Sequence, residues 1–142
     1  MEISEDIASL INASPISETS IKEINKIIKH IIKIVCQGNA ELEKQYSDTL
    51  IGYRFLEPNQ VRHGRFVRWM TMKNMEDDVI SKLSSGGLVV DVYEKNNSTY
   101  IKMKNPKGQF FQTKASENRL YFERLNEEDL FVLTLMEKLV DT

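Results

Sequence analysis

Residues 86–104 read GGLVVDVYEKNNSTYIKMK, which is the pattern of a β-hairpin. Both halves are rich in β-branched and aromatic residues, and the polar turn Lys95-Asn96-Asn97-Ser98 separates them. Further strand-like segments lie on either side: Arg65–Lys73 before the hairpin, then Gln109–Thr113 and Leu120–Leu125 after it. Short strands at this spacing predict a small twisted antiparallel sheet or a small β-barrel.

Helices are expected on both sides of these strands. An isoleucine-rich stripe with a spacing of three to four residues follows Ser20 and Glu23, which match a capping box. Gly38-Asn39 is a signal for the end of this helix. Near the end of the chain, a helix is expected over Asn126–Val140, because Asn126 is a good cap and the acidic residues after it suit the helix dipole.

Weaker signals predict a short helix over residues 4–12, a helical piece from Ala40 to about Leu50, and a linker over residues 52–64. The predicted fold class is therefore α+β, with N-terminal helices, a small twisted antiparallel sheet or barrel, and a C-terminal helix that closes it. We expect an N-terminal helical segment over residues 1–51 and a small β-barrel with its closing helix over residues 52–142.

Charge is distributed unevenly along the chain, although the net charge is only −2. Residues 61–114 carry 10 basic and 5 acidic groups. By contrast, residues 1–60 carry 6 basic and 9 acidic groups, and residues 115–142 carry 3 and 7. A basic centre between acidic ends is either a binding face or a region neutralised by the chain's own ends. Both interpretations stay open at this point.

The sequence contains no catalytic or metal-binding pattern. Cys36 lies on the isoleucine-rich helix, where a cysteine more often packs as a small hydrophobic residue. His30 and His63 lack the spacing of zinc ligands. No calcium-binding loop surrounds the acidic run Glu76-Asp77-Asp78, so we expect a solvated loop there. We therefore predict no enzymatic activity, no metal and no cofactor.

Basic and aromatic residues form the first candidate interaction face. Basic groups attract phosphates and exposed aromatic rings stack on unpaired bases, so nucleic-acid binding is one hypothesis. Contact with acidic protein surfaces, including the chain's own Glu127-Glu128-Asp129, is the hypothesis we favour. Along the predicted strand Arg65–Lys73, apolar and basic residues fall on both faces. A tryptophan in a small sheet is more often a core residue. The residues assigned to this face are Arg62, Arg65, Arg68, Trp69, Lys102 and Lys104.

The isoleucine-rich helix is the second candidate. Its apolar stripe is wider than a two-stranded seam requires, so it forms the main core or buries two sides against different neighbours. We expect Ile24, Ile28 and Ile31 in a core or in a helix interface between subunits. The longest apolar runs are far shorter than a bilayer requires, and no membrane span is expected.

Five segments carry a family pattern: GYRFLEP (52–58), GRFVRWM (64–70), LSSGGLV (83–89), YIKMKN (100–105) and LYFER (120–124). They resemble small uncharacterised proteins of nucleocytoplasmic large DNA viruses, which have an SH3-like β-barrel region. The motifs are structural, and no catalytic residue carries over. The resemblance implies a virus-encoded protein with an SH3-like barrel that is packaged in the virion or helps to build it.

These observations predict a non-enzymatic structural or adaptor protein that acts through protein–protein contacts. The expected role is a minor, capsid-associated component of a large viral particle, with capsid proteins, other subunits or a second copy as partners. The alternative is a nucleic-acid-binding module that uses the basic face of an SH3-like barrel. The expected location is the virion, or otherwise the host cytoplasm, and a single cysteine fits such a reducing compartment.

Overall fold

A computed structural model describes residues 19–71, 82–115 and 119–140 of the chain. Within these ranges the fold is α+β, as predicted, with three α-helices and a six-stranded antiparallel sheet. The helices are α1 (Ile21–Cys36), α2 (Ala40–Thr49) and α3 (Glu127–Val140). The strands are β1 (Tyr53–Leu56), β2 (Phe66–Thr71), β3 (Gly87–Lys95), β4 (Ser98–Lys104), β5 (Phe110–Lys114) and β6 (Arg119–Arg124).

Local caps set the limits of α1 and the start of α2. The Ser20 hydroxyl accepts a hydrogen bond from the backbone N–H of Glu23 at 3.1 Å, which satisfies one of the free donors at the helix start. α1 ends where Gln37 and Gly38 adopt φ values of 47° and 86°. Asn39 then caps α2 with its side chain, so the two helices are joined by a tight turn.

The strand order in the sheet is β1-β6-β2-β3-β4-β5. The central hairpin, β3–β4, turns through Asn96 and Asn97, whose φ values of 54° and 64° suit a two-residue turn that matches the strand twist. β3 is irregular between Val89 and Asp91, where a bulge shifts the register. The five strands predicted from the sequence all form, with ends that agree to within two residues.

The linker prediction for residues 52–64 was wrong in part, because this segment contains β1 as well as a 3-10 turn at Pro58–Gln60. Tyr53 and Leu56 are buried, and β1 pairs along its whole length with β6. Arg54 and its partner Glu123 are 69 residues apart in the sequence. The residues within such a short strand do not reveal that it pairs with a segment so distant in the sequence.

The two faces of the sheet carry separate hydrophobic clusters. All three described helices pack against the face that carries Met70 and Phe122, which we call the outer face. The opposite, inner face carries Ile101 within a second cluster. That cluster also contains Leu56 of β1 and Ala115, which follows β5. The sheet therefore curls around its inner face and brings its two edges towards each other.

β1 and β5 are nevertheless the edge strands, and no ladder of hydrogen bonds joins them in the described part of the chain. The observed sheet is open, not a closed barrel. The outer cluster packs α1 and α2 against β6 and α3. The boundary between an N-terminal segment, residues 1–51, and a second segment, residues 52–142, stays a prediction. The helix expected over residues 4–12 and the acidic run 76–78 lie outside the described residues. None of the helices described here is long and apolar enough to cross a membrane.

Replacing Ile28 with alanine is expected to lower the free energy of unfolding by about 2–5 kcal/mol, because the side chain is lost from a packed cluster. Ile28 is 6% exposed, whereas Ile34 on the same helix is 51% exposed. Ile34→Ala is therefore the matched control, with an expected change below about 0.5 kcal/mol. Urea denaturation followed by circular dichroism measures both values. Equal losses in the two variants would contradict the observed orientation of α1.

Candidate binding surfaces

Glu123 is a fully buried carboxylate surrounded by three arginines. Its Oε1 atom lies 3.1 Å from Arg54 Nε, 3.0 Å from Arg62 Nη2 and 3.2 Å from Arg65 Nη2. The strand register brings Arg54 there, since Arg54 lies directly opposite Glu123 in the β1–β6 ladder. Burying a carboxylate is costly unless it is paired, so Glu123 requires these partners to remain in place. We call these four residues the arginine–glutamate cluster.

Arg65 links this cluster to the start of α3. Its guanidinium contacts the Asp129 carboxylate and donates a hydrogen bond to the backbone oxygen of Arg124 at 3.1 Å. Asp129 is buried, and it exchanges two hydrogen bonds with Asn126 across the first helical turn, at 2.8 and 3.1 Å. Part of the basic centre is therefore neutralised by the acidic C-terminal segment, which was one of the two interpretations of the charge pattern.

Arg68 and Trp69 also have partners within the chain. Arg68 donates hydrogen bonds to the Tyr53 hydroxyl and to the backbone oxygen of Ser84, both at 3.1 Å. Trp69 packs with the inner cluster, where its ring centroid lies 5.3 Å from that of Phe111. Four of the six residues assigned to one interaction face thus make contacts inside the fold: Arg62, Arg65, Arg68 and Trp69.

Lys102 and Lys104 lie on a different surface, formed by exposed residues of β3, β4 and β5 on the outer side of the sheet. The register aligns Leu88, Lys104 and Phe110 as direct cross-strand neighbours. Phe110 is 60% exposed and Leu88 is 42% exposed. The Nζ atoms of Lys102 and Lys104 lie 5.3 and 5.7 Å from the centroid of the Phe110 ring. Cations and an aromatic ring are therefore combined on one exposed surface.

Two more cross-strand rows extend this surface. Lys102 lies between Asp91 and Gln112, and Tyr100 lies next to Tyr93. The two tyrosine rings are stacked with centroids 5.6 Å apart. We call the whole set the β3–β5 platform: Leu88, Asp91, Tyr93, Tyr100, Lys102, Lys104, Phe110, Gln112 and Lys114.

Phe66 of β2 continues the first row of the platform, since it lies directly opposite Leu88. The Arg124 guanidinium carbon stands 4.6 Å from the centroid of the Phe66 ring. Gly86 makes room for this ring, because a Cβ atom at position 86 would lie 2.6 Å from Phe66 Cζ. The φ value of Gly86, 92°, is also one that glycine adopts far more readily than other residues.

A third feature is the isoleucine stripe of α1. Ile24 and Ile28 are buried in the outer cluster, as predicted for a core, and Ile31 is half-buried at its margin. Ile27 and Ile34 are 39% and 51% exposed. Because Ile27, Ile31 and Ile34 are spaced by four and three residues, they form a continuous line along the helix. We call this line the isoleucine row.

Sequence reasoning missed Glu123 and the aromatic members of the platform. A signal for Glu123 was available, because alternation in LYFER places it on the same side of the strand as Tyr121 and opposite to Phe122. A charge at an inward strand position implies a buried partner. The pairing of Phe110 with Lys104 required the register of β4 and β5, which the sequence does not give.

The cysteine and the two histidines of the chain differ in their exposure. Cys36 is fully buried, and burial, with a further contribution from the Glu43 carboxylate, raises the pKa of its thiol and disfavours the nucleophilic thiolate. His30 and His63 are exposed. The described ranges contain no group of three potential metal ligands. A depression of about 280 Å³, between Pro58-Asn59 and Asn97–Thr99, has no ionisable side chain in its lining.

No family model, curated protein or solved structure matches this chain. Known proteins therefore assign no role to any of its residues. Three features have to be interpreted from their own chemistry: the arginine–glutamate cluster, which is engaged within the fold, and the two exposed surfaces, which are the isoleucine row and the β3–β5 platform.

Replacing Glu123 with alanine is expected to destabilise the fold by about 3–5 kcal/mol, because Arg54 and Arg65 lose their buried counter-charge. The exposed Glu137 of α3 provides the control, and Glu137→Ala should change stability by no more than about 0.5 kcal/mol. Chemical denaturation of both variants gives the comparison. A Glu123→Ala protein as stable as the wild type would show that the cluster is dispensable.

Proposed function

We propose that this chain is a non-enzymatic structural or adaptor protein that acts through protein–protein contacts. The observation that carries this proposal is the isoleucine row, in which Ile27 and Ile34 remain exposed beside a helix face that is otherwise packed against the sheet. Full burial of one such side chain is worth about 1.5–3 kcal/mol. A partner that covers the row therefore gains hydrophobic stabilisation without any change in the fold of α1.

The lysines of α1 lie away from the isoleucine row. The helix turns by about 100° per residue, so the lysines at positions 22, 26, 29 and 33 project at least about 80° from every isoleucine of the row. The exposed residues that border the row are Glu23 and His30. An apolar stripe of a partner protein can therefore cover the row without meeting the lysines.

The resemblance described above supplies the biological setting of the proposal. In that setting the chain is a minor, capsid-associated component of a large viral particle, and its sheet is related to the SH3-like barrels of similar viral proteins. Its location is then the virion, or the host cytoplasm before assembly.

The double substitution Ile27→Asp and Ile34→Asp tests the isoleucine row, because it places two charges in the contact and leaves the buried face of α1 intact. Tagged variants are expressed in the cells that naturally produce the chain, and cross-linked partners are quantified by mass spectrometry. We expect the wild type to retain specific proteins in near-stoichiometric amounts and the double variant to lose them at least about tenfold, which corresponds to 1.4 kcal/mol.

Lys22→Asp with Lys29→Asp is the matched control, since it introduces the same aspartates on the lysine side of the same helix, away from the isoleucine row. This control should retain the apolar contact to a greater extent than the isoleucine variant. Thermal unfolding of each protein verifies that the fold is unchanged. The proposal fails if the wild type has no stoichiometric protein partner, or if the aspartates in the isoleucine row leave every partner in place.

A further inference from the structure

The β3–β5 platform is separate from the isoleucine row, and its chemistry is different. It combines three aromatic rings with three lysines, Lys102, Lys104 and Lys114. Asp91 is the only acidic residue among the nine residues of the platform. Among the ion pairs of the described residues, none involves a lysine of this platform. The positive charge of the platform therefore remains available to an external anion.

The aromatic rings stand where a flat ligand could stack on them. Phe110 is 60% exposed at the edge strand β5, and the stacked, half-buried pair of Tyr93 and Tyr100 lies two rows away on the same face. Successive residues on one face of a strand are about 7 Å apart, so the rings offer separate stacking positions. Sheets that bind single strands use exposed aromatic rings in this way.

The lysines are placed beside the rings and not in a separate patch. The ammonium groups of Lys102 and Lys104 lie 5.3 and 5.7 Å from the Phe110 centroid. A base that stacks on Phe110 would therefore have two cations within reach of its phosphates. Gln112 lies opposite Lys102 and accepts a hydrogen bond from the Tyr93 hydroxyl through Oε1, so its amide N–H groups are what it offers to a base edge. Arg124 stacks on Phe66 in continuation of the first row.

We infer that the β3–β5 platform binds single-stranded nucleic acid, with bases stacked on Phe110 and the tyrosine pair and with phosphates held by Lys102 and Lys104. Duplex DNA is a poorer fit, because its bases are already stacked and the platform presents no helix to enter a groove. An acidic protein segment would use the lysines, but it would gain no specific advantage from the aromatic rings beside them. This inference does not depend on the isoleucine row.

The test measures fluorescence anisotropy of labelled oligo(dT) and of a duplex of the same length, about 12 nucleotides, with the full chain. We expect tighter binding of the single strand, and Phe110→Ala should weaken it at least about fivefold. Lys102→Gln with Lys104→Gln should reduce the slope of log affinity against log salt by about 1.4, because two phosphate contacts are lost.

Matched controls use residues away from the platform. Phe131→Ala removes another exposed aromatic ring, 49% exposed on α3, and Lys29→Gln with Lys33→Gln removes two exposed positive charges on α1. Both controls should retain the affinity and the salt slope of the wild type. Three results would each overturn the inference: no binding at about 50 mM salt, equal affinity for duplex and single strand, or affinity unaffected by Phe110→Ala. Displacement of oligo(dT) by polyglutamate at equal charge concentration would also overturn it and indicate an acidic protein ligand.

Discussion

The buried carboxylate of Glu123 is the constraint on which the arrangement of the chain depends. It connects the strand β1, the segment before β2 and the strand β6, and Arg65 extends the connection to Asp129 at the start of α3. A buried ion cluster need not be more stabilising than a hydrophobic one. Its effect is on register, because a slip of β6 by one residue would turn Glu123 towards the outer cluster and Phe122 away from it.

The same cluster decides which basic residues remain free to bind a ligand. Arginine is suited to buried pairs, because its planar group donates several hydrogen bonds in fixed directions. Arg54, Arg62 and Arg65 are used in this way, although the sequence places two of them in an apparently continuous basic face. Lysines are strongly hydrated and stay on the surface, as Lys102 and Lys104 do. The basic centre of the sequence is therefore two regions, one paired within the fold and one exposed on the platform.

Local sequence signals, such as helix caps and turns, predicted most of the helices and strands. The features that the sequence did not predict depend on pairing between segments far apart in the chain. The turn at Asn96-Asn97 and the cap at Ser20 depend on neighbouring residues, and both are observed. β1 was missed because its pairing with β6 joins distant parts of the chain. Lys102 and Lys104 were identified as candidates, but the ring that accompanies them, Phe110, is brought there by the β4–β5 register. The sequence shows which segments carry the positive charge, whereas only the strand register shows which side chains lie next to it.

The sheet also explains why one small chain can present two unlike surfaces. Its outer side is covered by helices over β1, β6 and β2, where Met70 and Phe122 are fully buried. Along β3, β4 and β5 the same side is open to solvent, so the cross-strand rows there can carry lysines and aromatic rings. The isoleucine row belongs to the covering helix and not to the sheet. A ligand on the platform and a protein on α1 would therefore use different elements of the chain, as the proposed adaptor role requires.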